Sequence, residues 1–208
     1  GRNVTGVELE DGEKVYADET VLNADFGYAM KNLVPPGVLK KYTPETVDSK
    51  EYSCSTFMLY LGIDKIYDLP HHTIFFAGDY RKNIEDVFNN KVLSEDISFY
   101  VRNASINDPT LAPEGHSALY VLVPVPNCTA DVDWHANTDE FKERVISAME
   151  SRAEMSDIRE HIKEEVVYTP KTWMDTNIQF GATFNLAHSL NQMMHLRPRN
   201  KFEDLGNC

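Results

Sequence analysis

With 33 acidic and 20 basic residues in 208, this chain is a quarter charged, yet Gly115–Ala130 and Gly181–Leu196 each pass sixteen positions without Asp, Glu, Lys or Arg. Uncharged stretches of that length have to be covered, either by a core or by an apolar ligand, so these two windows restrict the fold more than any short motif. The centre of the first, ALYVLVPVP, reads as a buried strand that stops at Pro124, which lacks the N–H a ladder needs. Ser53–Ile63, SCSTFMLYLGI, has little polar alternation and reads as a strand inside a sheet with both faces covered.

Shorter elements surround these two. Val4–Leu9 and Val15–Leu22 flank Asp11-Gly12, a hairpin turn signal, and predict an antiparallel ribbon. Phe26–Leu33 reads as a short helix ended by Pro35-Pro36-Gly37. His72–Ala77 and Phe99–Ala104 read as strands, with a half-buried helix carrying Ile84, Val87, Phe88 and Lys91 between them. After the proline-rich loop NDPTLAPEG and the strand near 117–124, Asn137 or Thr138 is expected to cap a helix over 138–152. Its apolar stripe is Phe141, Val145, Ala148 and Met149. Glu164–Thr169 supplies a last strand, and Pro170 starts a helical turn through Trp173. The fold class is α/β of mixed type, with six or seven strands and three or four helices. Strands near 53–62, 99–103 and 117–124 are expected in one mixed sheet.

The second window predicts a helix over 184–196. Leu186, Leu190, Met193 and Met194 then share one side, with His188, Asn191, Gln192 and His195 on adjoining faces. A helix without charge on any face is buried all round or lines a cavity, and both readings stand at this point.

Composition excludes several function classes. A net charge of -13, with no basic cluster richer than Lys40-Lys41 or Arg81-Lys82, argues against nucleic acid as a partner. No stretch is long and apolar enough to span a bilayer, although a local apolar patch can still meet lipid without help from net charge. Cys54, Cys128 and Cys208 form no CxxC pair, and none of the seven histidines, the tandem His71-His72 included, stands in a metal-ligand spacing, so no metal site is expected. GxGxxG, P-loop and GxSxG motifs are absent from the sequence. Because regular structure starts by residue 4 and KFEDLGNC stops in a polar turn, the chain reads as an internal piece of a longer protein.

Four stretches go further: VTGVELEDGEKVYADETVLNAD at 4–25, HHTIFFAGDYRKNIEDVF at 71–88, DPTLAPEGHSALYVLVPVPN at 108–127 and GATFNLAHSLNQMMHLRPRNKFEDLGN at 181–207. Together, in this order, they resemble the bacterial-type phytoene desaturase family, FAD-dependent carotenoid desaturases of the amine-oxidase-like superfamily. The resemblance implies that 1–25 ends an FAD-binding domain, as a small remnant of a Rossmann-type unit, with Asn23, Ala24 and Asp25 on its return strand near the cofactor. It implies a substrate-binding domain over 26–196, a mixed sheet flanked by helices, and a return towards flavin-binding elements over 197–208. The parent would take hydrogen from a long polyene such as phytoene, with Phe180, Phe184, Leu186, Leu190 and Met193 as an apolar wall and His188 as the catalytic candidate. Arg197, Pro198 and Arg199 resemble the family's RPxN turn, with a structural role as a salt-bridged corner. A carotenoid isomerase or other polyene-modifying flavoprotein uses the same scaffold, and a non-catalytic apolar-ligand or scaffold protein is the third reading. FAD is implied for the parent, whereas the 208-residue piece is expected to retain none, to be inactive, and to self-associate through uncovered sheet edges. The implied location is cytoplasmic or peripheral on the cytoplasmic membrane face, with peripheral membrane contact as part of the same expectation.

Overall fold

The computed structural model describes residues 2–208. Its elements run β1 (Arg2–Asn3), β2 (Gly6–Glu8), β3 (Lys14–Tyr16), α1 (Phe26–Tyr28), α2 (Pro44–Asp48), β4 (Ser55–Ile63), β5 (His72–Phe75), α3 (Tyr80–Glu85) and β6 (Phe99–Asn103). They continue with β7 (Ser117–Val125), α4 (Trp134–Arg152), α5 (Ile158–His161), β8 (Ile162–Tyr168), α6 (Pro170–Asp175) and β9 (Leu205–Gly206), joined by 3-10 and π turns. The chain divides into two units. One holds the residues up to Tyr52 with Asn177–Gln179 and Asn185–Cys208; the other holds Ser53–Thr176 with Phe180–Phe184.

In the larger unit, strands pair in the order β5-β6-β7-β4-β8. Every pairing in this sheet is antiparallel, which corrects the expected mixed sheet. β6 returns directly to β7 through the looped 104–116 segment without a crossover helix, and the connection that carries α3 also leaves β5 and β6 antiparallel. Parallel pairing occurs among the described residues only between β1 and β9, in the other unit. The alternation of side chains along each strand sends Phe57, Leu59, Leu61 and Ile63 of β4, Phe99 and Val101 of β6, and Leu119, Val121 and Val123 of β7 to one face. There α4 lays down Phe141, Val145 and Met149, all fully buried, as its spacing predicted.

Helix α4 starts earlier than the expected cap at 137 or 138. Asp133 is the N-cap, its carboxylate accepting from the amides of His135 and Ala136 at 2.9 and 3.3 Å. Trp134, in the first turn, enters the core against Phe57, and Phe57 meets Phe141 edge-on at 5.0 Å. A tight closure ends this unit: Gly181 has φ +62 and its missing Cβ would lie 2.2 Å from the Pro170 carbonyl oxygen, so only glycine fits.

The smaller unit contains the predicted ribbon, shortened to β2 and β3, with Val7 opposite Val15. Asp25 caps α1 through the Tyr28 amide at 2.9 Å, and a π turn over Ala29–Leu33 continues it. Ala29, Met30, Leu39 and Val47 form a small core with Leu22, Phe26, Tyr42, Phe202 and Leu205 against it.

No helix spans 184–196, contrary to the sequence expectation. Asn185 sits at φ +62, its side-chain oxygen accepts from the Leu186 amide, and Met194 again turns left-handed at φ +51. Leu186 bridges Tyr52 as an isolated antiparallel pair, and Gln192 grips the backbone of Glu51 with both ends of its amide. The uncharged polar side chains that made the window look like a featureless helix instead take over backbone hydrogen bonds and break it. What remains is a loop with 3-10 turns at Leu190–Gln192 and Met194–Leu196.

Candidate functional site

The second face of the five-stranded sheet is built by the alternate residues of the same strands. Straight across it, in register, run His72 of β5, Arg102 of β6, Tyr120 of β7, Tyr60 of β4 and Val166 of β8. The adjoining row is Ile74, Tyr100, Leu122, Met58 and Tyr168 on the same strands. Four strand spacings of about 4.8 Å make this double row about 19 Å wide.

Rings dominate it. Tyr60 stands edge-on to both Tyr120 and Tyr168, with centroids 5.5 and 5.9 Å away, and Tyr100 lies 6.0 Å from Tyr120. At the β8 side Trp173 of α6 packs on Tyr168 at 4.7 Å and donates its indole N–H to the Thr56 carbonyl at 3.0 Å. The capping box of Thr169 and Thr172 around Pro170 fixes where α6 starts and therefore where Trp173 points. Burial raises the phenol pKa of Tyr60, with Tyr120 and Tyr168 adding to it, and burial also raises that of Tyr120, with Tyr100 adding and Arg102 opposing. The phenols therefore stay neutral, and the middle of the face carries no ionised group. Tyr60, Tyr100, Tyr120 and Tyr168 are all half-buried, leaving ring surface for a ligand.

One end is different. Arg102 is exposed, makes no ion pair with any described residue, and donates from Nε to His71 Nε2 at 3.4 Å. Next to it His72 Nδ1 shares a hydrogen bond with the Tyr100 hydroxyl at 2.5 Å. Desolvation, with His72 and Arg102 close by, lowers the pKa of His71, which keeps Nε2 free to accept.

In the smaller unit a cleft of about 750 Å³ is lined by Thr20, Ala24, Met30, Arg197, Phe202 and Leu205 among others. Two buried polar atoms on its walls, Thr20 Oγ1 and Arg197 Nη1, have no hydrogen-bond partner among the described residues. Among the described residues the Arg197 guanidinium is held only through Nη2, which donates to the Leu186 carbonyl at 3.3 Å, so it keeps donor capacity to spare. Arg199 forms an exposed ion pair with Glu203 at 3.1 Å, so the corner expected at 197–199 is salt-bridged at its second arginine only.

The predicted site residues scatter. Phe180 adopts φ +54 and its carbonyl accepts from the Cys128 amide at 2.8 Å, while Phe184 is 47% exposed. Leu186 is fully buried beneath its bridge, Leu190 is 91% exposed, Met193 is half-buried, and His188 is exposed on the loop. Without a helix over 184–196, Leu186, Leu190 and Met193 do not share one helix face. Asn23 and Ala24 are exposed, and the Asp25 carboxylate is committed to the amides of Tyr28 and Gln179 and to Asn185 Nδ2, as a structural clasp. The aromatic rows were missed, although FYVRN at 99–103 signals them: Phe99 and Val101 alternate with Tyr100 and Arg102, a period of two with distinct chemistry on each side.

No protein-family model matches the chain. It is 56% identical over 204 residues to the 4,4'-diapophytoene desaturase (4,4'-diapolycopene-forming) of Methylomonas sp, covering 98% of the chain and 40% of that protein. The all-trans-zeta-carotene desaturase of Myxococcus xanthus is 43% identical over 210 residues, 99% of the chain and 39% of that protein. The chain belongs to the bacterial carotenoid desaturases. A third member, the phytoene desaturase (neurosporene-forming) of Rhodobacter capsulatus, is 36% identical over 97% of the chain and 40% of its own length. The chain thus spans about 40% of the length of these carotenoid desaturases. Among the described residues, no helix is long and apolar enough to cross a membrane.

Proposed function

We propose that this chain is part of an FAD-dependent oxidoreductase that desaturates a long polyene hydrocarbon, and that the double aromatic row is where the polyene lies. The observation that carries the reading is the row itself: a ring-lined strip without charge at its centre, in a chain that is otherwise a quarter charged. A hydrocarbon has no polar handle, so binding comes from removing apolar surface from water, roughly 25 cal/mol per Å². Edges and faces of Tyr60, Tyr120 and Tyr168 then fix how the polyene sits, because rings prefer defined offset or edge-on contacts with a π-system. Exclusion of water along the strip keeps the reacting bond dry.

In this reading, residues 1–25 and 197–208 belong to the flavin-binding part, the remnant of a Rossmann-type domain, and 26–196 to the substrate-binding part. The unpartnered donors of the 750 Å³ cleft fit an acceptor-rich group such as a flavin dinucleotide, and Thr20, Ala24 and Arg197 would hold it, with Asn23 alongside and Asp25 fixing the backbone of that return. When bound, FAD supplies the acceptor for the hydride equivalent removed from the substrate. Phe180, Phe184, Leu190 and Met193 remain as apolar contacts for substrate or for further protein, Leu186 is the buried member of that set, and His188 stays the catalytic candidate of the segment. The exposed Phe184 and Leu190 also suit peripheral contact with a membrane that stores the hydrocarbon.

The test uses the full-length protein, reconstituted with FAD and given 4,4'-diapophytoene, the compound in the name of the 56% identical relative, or phytoene in lipid vesicles. Growth of a longer conjugated chromophore, read as visible absorbance with concomitant flavin reduction under anaerobic conditions, is the expected result. Geometric isomerisation without flavin reduction would assign the isomerase reading instead, and flavin-loaded protein that leaves every polyene unchanged would end the proposal.

A further inference from the structure

The double row has a chemical polarity that a plain hydrocarbon does not require. Its β8 end closes with Val166, Tyr168 and Trp173, whereas its β5 and β6 end carries Arg102, His71 and His72, with the Tyr100 hydroxyl between. In a chain with thirteen more acids than bases, Arg102 stands beside the ring row without a carboxylate partner among the described residues. Of the other arginines on this unit, Arg144 pairs with Glu140, Arg152 with Asp96, and Arg159 with Glu143 and Glu150, whereas Arg81 on α3, like Arg102, makes no ion pair with a described residue; of the two, Arg102 is the one that stands in the ring row. Arg102 lies in register with Tyr120, so its charge meets the ring row directly, and its influence on the Tyr120 phenol follows from that closeness.

We infer that the Arg102, His71, His72 and Tyr100 cluster is an anchor for an anionic or oxygenated end group, so that the strip takes long unsaturated carboxylic acids in addition to hydrocarbons. Arg102 keeps both Nη groups free of described partners and can present them as a fork to a carboxylate, the geometry in which guanidinium binds most specifically. The Tyr100 hydroxyl and the outer nitrogen of His72 supply further hydrogen bonds around the same point. The hydrocarbon tail would then run over Tyr120, Tyr60 and Tyr168 towards Trp173. This rests on the reading of the row as an apolar binding strip and adds to it a direction: polar end at β5 and β6, tail at β8.

The experiment titrates the full-length protein with parinaric acid, a conjugated tetraenoic acid that fluoresces when its tail is desolvated, and with its methyl ester, which has the same tail without the charge. The acid is expected to bind about tenfold more tightly than the ester, the size of one charge-assisted bidentate contact at a solvent-facing site, and Arg102→Gln should bring the two together. Tyr60→Ser should weaken both probes equally, because it acts on the tail. Raising the salt concentration into the molar range should erode the acid's advantage and leave the ester unaffected, which tests the role of charge without a substitution. Equal affinity of acid and ester in the unsubstituted chain overturns the anchor and leaves the apolar strip standing. An acid preference that survives Arg102→Gln, or binding of both probes that ignores Tyr60→Ser, also overturns it, since the probes are then held elsewhere. If neither probe binds, the strip is not a binding face, and the anchor falls with it.

Discussion

Tyr60 and Tyr120 face each other in register on β4 and β7, ring centroids 5.5 Å apart and planes inclined at 77°. An edge-on ring pair of this kind contributes about 0.5–1.5 kcal/mol beyond the area it buries, so Tyr120→Leu should lower unfolding stability by roughly that amount. The same substitution should weaken binding of a fluorescent polyene hydrocarbon. Denaturant melts and probe titration measure the two effects separately. A variant that keeps full polyene affinity would remove Tyr120 from the proposed strip.

Two apolar side chains that the sequence presented as equals should behave in opposite ways. Phe141 is fully buried against Phe57 and Trp134, and Phe141→Ala should cost about 3–5 kcal/mol. Leu190 is 91% exposed, so Leu190→Asp should leave the melting curve within about 0.5 kcal/mol of the parent. Urea denaturation of both variants decides it. Unfolding of the aspartate variant would show that the 184–196 segment is core after all.

Asp157 ties α5 to the segment after β4. Its carboxylate accepts from Lys65 and, at 2.7 Å, from the Tyr67 hydroxyl, and these two bonds, in that order, hold its pKa well below the ordinary aspartate value. A group depressed in the folded state adds stability that is present above the unfolded value, about 3.9, and is lost as pH falls towards the folded one. The melting temperature of the parent should therefore exceed that of Asp157→Asn at neutral pH, with the gap narrowing below about pH 4. A gap that stays constant down to strong acid would show that the bonds do not depend on the charge.

Gly181 closes the larger unit in a left-handed conformation with the Pro170 carbonyl where a Cβ would be. The Ser55 hydroxyl donates to the Gly181 carbonyl at 2.5 Å, fixing the same turn from the sheet side. Gly181→Ala must displace backbone as well as adopt a positive φ, and a loss of about 2–3 kcal/mol is expected. Thermal unfolding of this variant beside Gly115→Ala, whose φ is also positive but whose Cβ position is open, separates the clash from the dihedral. Equal losses in both would mean that the clash relaxes freely.

Most of the sheet was legible in the amino-acid pattern. SCSTFMLYLGI and ALYVLVPVP became β4 and β7, neighbours at the centre, because long apolar strands can be satisfied only where both edges are paired and one face is packed. The stripe of α4 was legible for the same reason: Phe141, Val145 and Met149 recur at the helical period, and burial follows the period. The four quoted stretches also carried the family. Strand direction was not legible, since an apolar run pairs equally well either way until the connections are laid out in space. Nor was the fate of 184–196, where Asn185 and Gln192 are short-range competitors whose choice of partner, Leu186 or the distant Glu51, depends on which backbone lies beside them. The aromatic strip belongs wholly to the assembled sheet: Tyr60, Tyr100, Tyr120 and Tyr168 lie on four separate strands, and only cross-strand register, which is set by the whole sheet, places them side by side.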